Sequence, residues 1–434
     1  MDTWRPMRHA PIDPALFATN RERLRKLLPP NSLAVVNAND VLPTNADGSL
    51  PMVPNTDLFY LAGIEQEESL LVIAPDAFDE KLREVLFVRQ PNEHLKIWEG
   101  HKLSKEEATR ASGVKNVKWL SEFDTIFRGL MFDADQVFLN SNEHKRSDSE
   151  VETREARFVR QVRERNPLHT YRRLAPLLHR LRLVKSKAEV ALLQKAVDIT
   201  EDGFRRVLGF VKPGVNEVEV EAEFIHEFTR QRGRFAYSPI IASGENACVL
   251  HYNQNDQPCR KGDLLLLDVG ASYANYNADL TRTIPVSGKF TRRQKDIYNA
   301  VLRVMRASIA GATVGKLHRD WTRESQMMMN EELLSLGLLK KADIQKQTEE
   351  TPACRKYFMH GLGHPLGLDV HDVGQISEPI AEGWVLTVEP GIYVPQEKTG
   401  IRLENDILVT AKGPVDLMAK IPVEADEIEE LMRR

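Results

Sequence analysis

Acidic residues standing inside runs of strand-forming apolar residues constrain this chain more than any other feature. In "DLLLLDVGASYANYNADLTRT" (263–283), Asp268 follows four leucines and Asp279 precedes another strand-like run. In "VLTVEPGIYV" (385–394), Glu389 follows an apolar run, and in "GIRLENDILV" (400–409), Glu404 alternates with Ile401, Leu403 and Ile407. The two-residue period of a strand puts Arg402 and Glu404 on one face. Ionised carboxylates are rarely buried unless they are paired or bind a metal. Singly, each has a bland origin: Asp268 caps a turn, or Glu404 pairs with Arg402. Four such acids are harder to account for one by one, and a shared cation would neutralise them together.

A histidine run is the second constraint. "FMHGLGHPLGLDVHD" (358–372) holds His360, His364 and His371, three of the twelve histidines. His360 and His364 have the spacing of the zinc-protease helix motif, but no glutamate follows His360, and Gly361, Gly363 and Pro365 interrupt the span. Glycine and proline are the poorest helix formers, so the pair belongs to a loop and not to H-E-x-x-H. "GLGHPLG" also misses the G-x-G-x-x-G nucleotide fingerprint, with Leu366 in the last glycine position. Its glycines are better explained by close backbone approach. Four carboxylates and one imidazole are too anionic for a structural zinc site; such an oxygen-rich set suits Mn or Mg and can hold two ions. The residues thus lead to a dinuclear, carboxylate-rich hydrolytic site.

A chain of 434 residues is too long for one ordinary core, and two domains are expected. Up to about Pro167, the strand-like runs "SLAVVNA", "SLLVIA" and "EVLFVRQ" alternate with helical patterns at "SKEEATRASG" and "SEFDTIFRGL", which predicts an α/β domain with a mixed sheet. The charged stretch from Glu150 reads as an exposed helix leading to a junction at Asn166–Pro167. Ser186 with Glu189 and Thr291 with Gln294 form capping-box patterns ahead of two long amphipathic helices. Two helices, strands, two helices, strands: the second half looks like a duplicated α+β unit. Met327, Met328 and Met329 read as core packing.

The balance of 59 basic against 63 acidic residues, a formal charge of -4, argues against a nucleic-acid partner. No apolar run has the length of a membrane span, and the first residues lack the apolar core of a signal peptide. Three cysteines without C-x-x-C predict a reduced, cytoplasmic protein.

With these residues in place, the chain resembles the pita-bread metallopeptidases, within them the branch of aminopeptidase P and prolidase. "DVGASYANYNADLTRTIPVSGKFT", "HGLGHPLGLDVHD", "TVEPGIY" and "GIRLENDILVT" match the family's Asp, Asp, His, Glu, Glu segments in order. "NADGSLPMVPNTDLFYLAGI" and "IWEGHKLSKEEA" are similar to its amino-terminal domain. The resemblance implies an α+β chain: an N-terminal α/β mixed-sheet domain over 1–173 and a pita-bread catalytic domain over 174–434. It implies that Asp268, Asp279, His364, Glu389 and Glu404 hold two divalent ions, Mn2+ foremost. Asp279 and Glu404 would bridge them, with a shared water or hydroxide as nucleophile. Glu389 would shuttle the proton; His251, His360 and His371 would be catalytic; and His251, His371 and Arg402 would contact substrate. Tyr393 is assigned to packing.

The expected activity is hydrolysis between an N-terminal residue and a following proline, by a homodimer or homotetramer. Prolidase, which takes only Xaa-Pro dipeptides, is the alternative; the motifs do not separate the two. A non-catalytic pita-bread peptide-binding protein is more remote, because such proteins lose ligand residues and this chain keeps all five.

Overall fold

Buried apolar strands and capped amphipathic helices build two units, Met1–Arg182 and Leu183–Arg434, in a computed structural model. It describes residues 9–147, 150–374 and 377–433. The start of the chain read for a signal segment lies, through residue 8, outside the described residues.

In the first unit the three apolar runs become Ser32–Asn37, Leu70–Ile73 and Glu84–Val88, neighbours in a six-stranded sheet. The sheet is mixed, as expected: Ser32–Asn37 runs antiparallel to Leu70–Ile73 and parallel to Gln136–Leu139. The predicted helices form at Lys105–Ser112 and Phe123–Asp133. The charged stretch forms the helix Arg154–Arg165, but its end is not the unit's end. Thr170–Arg173 adds a parallel edge strand beside Gln136–Leu139, and Ala175–Leu183 follows as a helix. The compact units therefore meet at 182/183, later than both Asn166–Pro167 and the 173/174 boundary. A four-residue polar strand at a sheet edge needs no apolar run, so sequence patterning passes over it.

The second unit repeats one succession twice, which is the duplicated α+β arrangement. Helices Lys187–Phe210 and Glu217–Arg230 precede an antiparallel sheet ordered Leu280–Pro285, Leu264–Val269, Ile240–Ser243. Helices Arg292–Gly311 and His318–Ser335 precede another, ordered Val385–Val388, Asn405–Thr410, Gly413–Asp416. Both capping boxes form: Glu189 N–H donates to Ser186 Oγ at 3.3 Å, and Ser186 N–H donates to the Glu189 carboxylate at 2.8 Å. Thr291 and Gln294 repeat that exchange. Val197, Ile199, Phe204 and Val207 of the first helix enter a core shared with Leu265, Leu267, Leu386 and Ile407. The methionine triplet is corrected in part. Only Met329 is buried, and Met327 is 60% exposed, because three consecutive helical residues cannot share one face. No helix among the described residues is long and apolar enough to cross a membrane.

Candidate metal centre

Both glutamates occupy breaks in strands that sequence patterning reads as continuous. "GWVLTVEPGIYV" splits into Val385–Val388 and Gly391–Val394, which pair with different partners on either side of Glu389–Pro390. Proline has no N–H for a ladder, so the break falls there. The amide of Glu389 donates instead to Leu362 O at 2.8 Å, tying it to the histidine loop. "GIRLENDILVT" likewise splits into Thr399–Arg402 and Asn405–Thr410. At that break Glu404 bridges to Thr281, its N–H donating to Thr281 O at 3.0 Å, so the two repeats meet at an acidic residue. The buried Arg282 guanidinium holds the turn, donating to Glu404 O at 2.7 Å and to Asn405 Oδ1 at 2.8 Å.

Two glycines are required by close approach. A Cβ at Gly363 would lie 2.0 Å from Thr387 O, and one at Gly270 would lie 1.8 Å from Ala278 O. At the first, the histidine loop lies against the strand Val385–Val388: His364 N–H donates to Thr387 Oγ1 at 3.1 Å and Thr387 N–H to His364 O at 2.9 Å.

These constraints bring the five predicted ligands together. One ligand atom from each of Asp279, His364 and Glu404 lies within 4.8 Å of the others. His364 Nε2 is 3.5 Å from Asp279 Oδ2 and 3.9 Å from Glu389 Oε1. Asp268 joins through Tyr237, whose hydroxyl lies 2.6 Å from Asp268 Oδ1 and 2.6 Å from Asp279 Oδ1. Thr281 Oγ1 donates to Glu404 Oε2 at 2.7 Å.

The electrostatics fit a cation. Burial, then the neighbouring Asp268 charge, pushes Asp279 up to about 8. Burial raises Glu404 well above the carboxylate range, with Asp279 and Asp268 adding to it. Glu389 is raised well above it too, by burial and then by Glu404. Acids this close cannot all ionise in a low-dielectric site unless positive charge enters. Arg402 supplies only part of it: its guanidinium pairs with Asp268, and its Nε–H donates to Thr281 Oγ1 at 3.2 Å. Clustered oxygen donors with one imidazole and a remaining excess of negative charge are a donor set for divalent metal.

Around the cluster, His371 packs edge-on against His364 with ring centroids 4.3 Å apart. His360 Nε2 hydrogen-bonds Tyr393 at 2.8 Å, and Tyr393 Oη accepts from Arg402 Nη1 at 2.7 Å. Tyr393 is therefore more than packing: this fully buried hydroxyl couples His360 to Arg402. Burial foremost, then the Arg402 charge, keeps the His360 imidazole neutral, its pKa lowered to about 3. His251 stands exposed just after the short helical turn Gly244–Cys248, and its charge also weighs against protonating His360. Sequence reasoning did not single out Tyr237 or Arg282. Tyr237 lies in "RFAYSPII" with nothing to mark it, whereas Arg282 carried the same signal as the acids, a charge inside a strand.

A repeated α+β unit that gathers two aspartates, two glutamates and a histidine where its halves meet is a pita-bread metallopeptidase. The model of "Metallopeptidase family M24" matches residues 191–411, and that of "Aminopeptidase P, N-terminal domain" matches residues 17–138. The Xaa-Pro aminopeptidase of Escherichia coli K12 is 36% identical over 433 residues, covering 96% of this chain and 97% of the relative. A zinc-substituted E. coli aminopeptidase P in complex with product superposes with a TM-score of 0.86 at 34% identity, covering 98% and 100% of the two chains. A proline aminopeptidase P II from Yersinia pestis gives 0.85 at 33% identity, covering 97% and 99%. The chain belongs to metallopeptidase family M24.

Proposed function

We propose that this protein is an Xaa-Pro aminopeptidase, a metal-dependent exopeptidase that releases the residue preceding a proline in second position. The observation that carries the reading is the convergence of the ligand atoms of buried Asp279 and Glu404 with those of half-buried His364, flanked by Asp268 and Glu389. Full-length similarity to Xaa-Pro aminopeptidases supports the substrate class. Asp268, Asp279, His364, Glu389 and Glu404 would hold two divalent ions, Mn2+ in our reading because the donors are mostly hard oxygen. Bound divalent metal supplies Lewis-acid polarisation of the scissile carbonyl and lowers the pKa of water.

The side chains do the rest. Glu389 is one-fifth exposed at the edge of the cluster and takes the proton from the attacking water. The same carboxyl then delivers it to the departing proline nitrogen. His371, beside His364, hydrogen-bonds the substrate near the scissile bond, and exposed His251 closes over the proline side. His360, held neutral, offers no competing charge and, with Tyr393, fixes the Arg402 guanidinium against Asp268. A bond before proline needs such a site because it has no N–H to grip and its φ is locked. Three free cysteines, two of them buried, fit the reducing cytoplasm. A homodimer or homotetramer completes the reading.

The test is product analysis after Mn2+ is returned to metal-stripped protein, with a Xaa-Pro dipeptide and a Xaa-Pro-Xaa tripeptide at matched concentration. Release of the first residue from the tripeptide is expected. Cleavage of the dipeptide alone would instead make the protein a prolidase.

A further inference from the structure

Lys185 lies just past the helix Ala175–Leu183 in a stretch rich in arginine, yet its side chain is 1% exposed. Its Nζ lies 3.0 Å from Asp372 Oδ2, and the Asp372 side chain is also 1% exposed. An ion pair this deep costs desolvation at both ends and is weak evidence for stability on its own. Its place in the fold gives it another use, because Asp372 immediately follows His371.

The segment from Pro365 to Val373 folds back on itself around that carboxylate. Asp372 N–H donates to Pro365 O at 2.9 Å, closing the loop, and Val373 N–H donates to Asp372 Oδ1 at 2.9 Å. A Cβ at Gly367 would lie 2.2 Å from Asp372 Oδ2, so the glycine makes the room the carboxylate occupies. Asn277 grips the same turn, its N–H and Nδ2 donating to Gly367 O at 3.0 and 3.1 Å. Lys185 is anchored in turn, its N–H donating to Gly383 O at 2.8 Å immediately ahead of the capped helix Lys187–Phe210. Asp372 points inward to a fixed ammonium while its neighbour His371 stands exposed against the His364 ring.

We propose that the buried Lys185–Asp372 ion pair positions His371, which makes Lys185 a positioning residue for the reaction although it lies 187 residues from its partner. The inference rests on the role given to His371 under the proposed function. Without the ammonium, the buried Asp372 carboxylate loses its countercharge, which drives it toward water and turns the adjacent imidazole away from His364.

The experiment is a double-mutant cycle on the full chain loaded with Mn2+, reading tripeptide kcat, KM and bound metal for Lys185→Met, His371→Ala and the double variant. Lys185→Met should lower kcat about tenfold or more with bound metal unchanged, and should add nothing to the loss in His371→Ala. Losses that multiply in the double variant would overturn the proposal, since a general loss of structure acts independently of His371. If Lys185→Met does not fold, Lys185→Gln, which keeps a donor, goes through the same cycle. With diamagnetic Zn2+ in place of Mn2+, which would broaden nearby lines away, the His371 ring resonances, identified by their loss in His371→Ala, give a readout without turnover. They should shift in the Lys185 variant, and unmoved resonances overturn the proposal even if wild-type protein fails to cleave the tripeptide. That failure would itself refute the proposed function.

Discussion

Stripping the metal should make this protein lose stability as pH rises, opposite to the usual behaviour of carboxylates paired in a folded state. Asp279 is 5% exposed, and its carboxyl moves from 3.8 up to about 8 on folding, by burial and then by Asp268. Below pH 3.8 both states carry the proton and the effect vanishes. Between 3.8 and about 8 the unfolded chain releases it and the folded protein keeps it, so stability falls as pH rises. The loss follows the slope of one proton per molecule and reaches about 3 kcal/mol between pH 5.5 and 7.5. For a unit of this size that lowers Tm by roughly 5–10 °C. The assay is calorimetry of metal-stripped protein, Mn2+-loaded protein and metal-stripped Asp279→Asn at pH 5.5, 6.5 and 7.5. The stripped wild type should slope downward more steeply than the loaded protein and than stripped Asp279→Asn, which lacks that proton but keeps the raised Glu389 and Glu404. Parallel slopes for stripped wild type and Asp279→Asn would refute the account, since Asp279 would then already be ionised.

Five substitutions test the rest of the site. His364→Ala should lose bound metal by elemental analysis, whereas His371→Ala and His251→Ala should keep it and lose turnover. Gly363→Ala forces a methyl toward Thr387 O at 2.0 Å and should lower stability by about 1–3 kcal/mol together with metal content, both measurable on one preparation. Tyr237→Phe removes a hydroxyl shared by Asp268 and Asp279 and should cost about 1–3 kcal/mol in denaturant unfolding, with weaker metal retention in a chelator titration.

Much of the site was legible in the chain because its signals are local. An acid after four leucines, a histidine loop broken by glycine and proline, and two capping boxes each occupy a few consecutive residues, and local chemistry decides what they can be. The mixed sheet of the first unit and the repeated succession of the second followed from apolar period and length. What stayed hidden depends on partners far away along the chain. Glu404 meets Thr281 across 123 residues, and nothing near either one announces the other. The strand breaks at Glu389 and Glu404 look like continuous runs until the two halves of each run are seen to pair in different sheets. Tyr393 reads as a packing aromatic, and only the fold sets its hydroxyl between His360 and Arg402. Thr170–Arg173 has no aliphatic residue, only Tyr171 packing on the core, and becomes a strand because Gln136–Leu139 offers it an edge. Lys185 has the pattern of a solvated residue and is buried because Asp372 waits in the interior. Residue type and period determine which groups are available and what each would cost to bury. Which groups share a space, and so whether their charges cancel, is decided by chain closure over a hundred residues or more, to which local periodicity is blind.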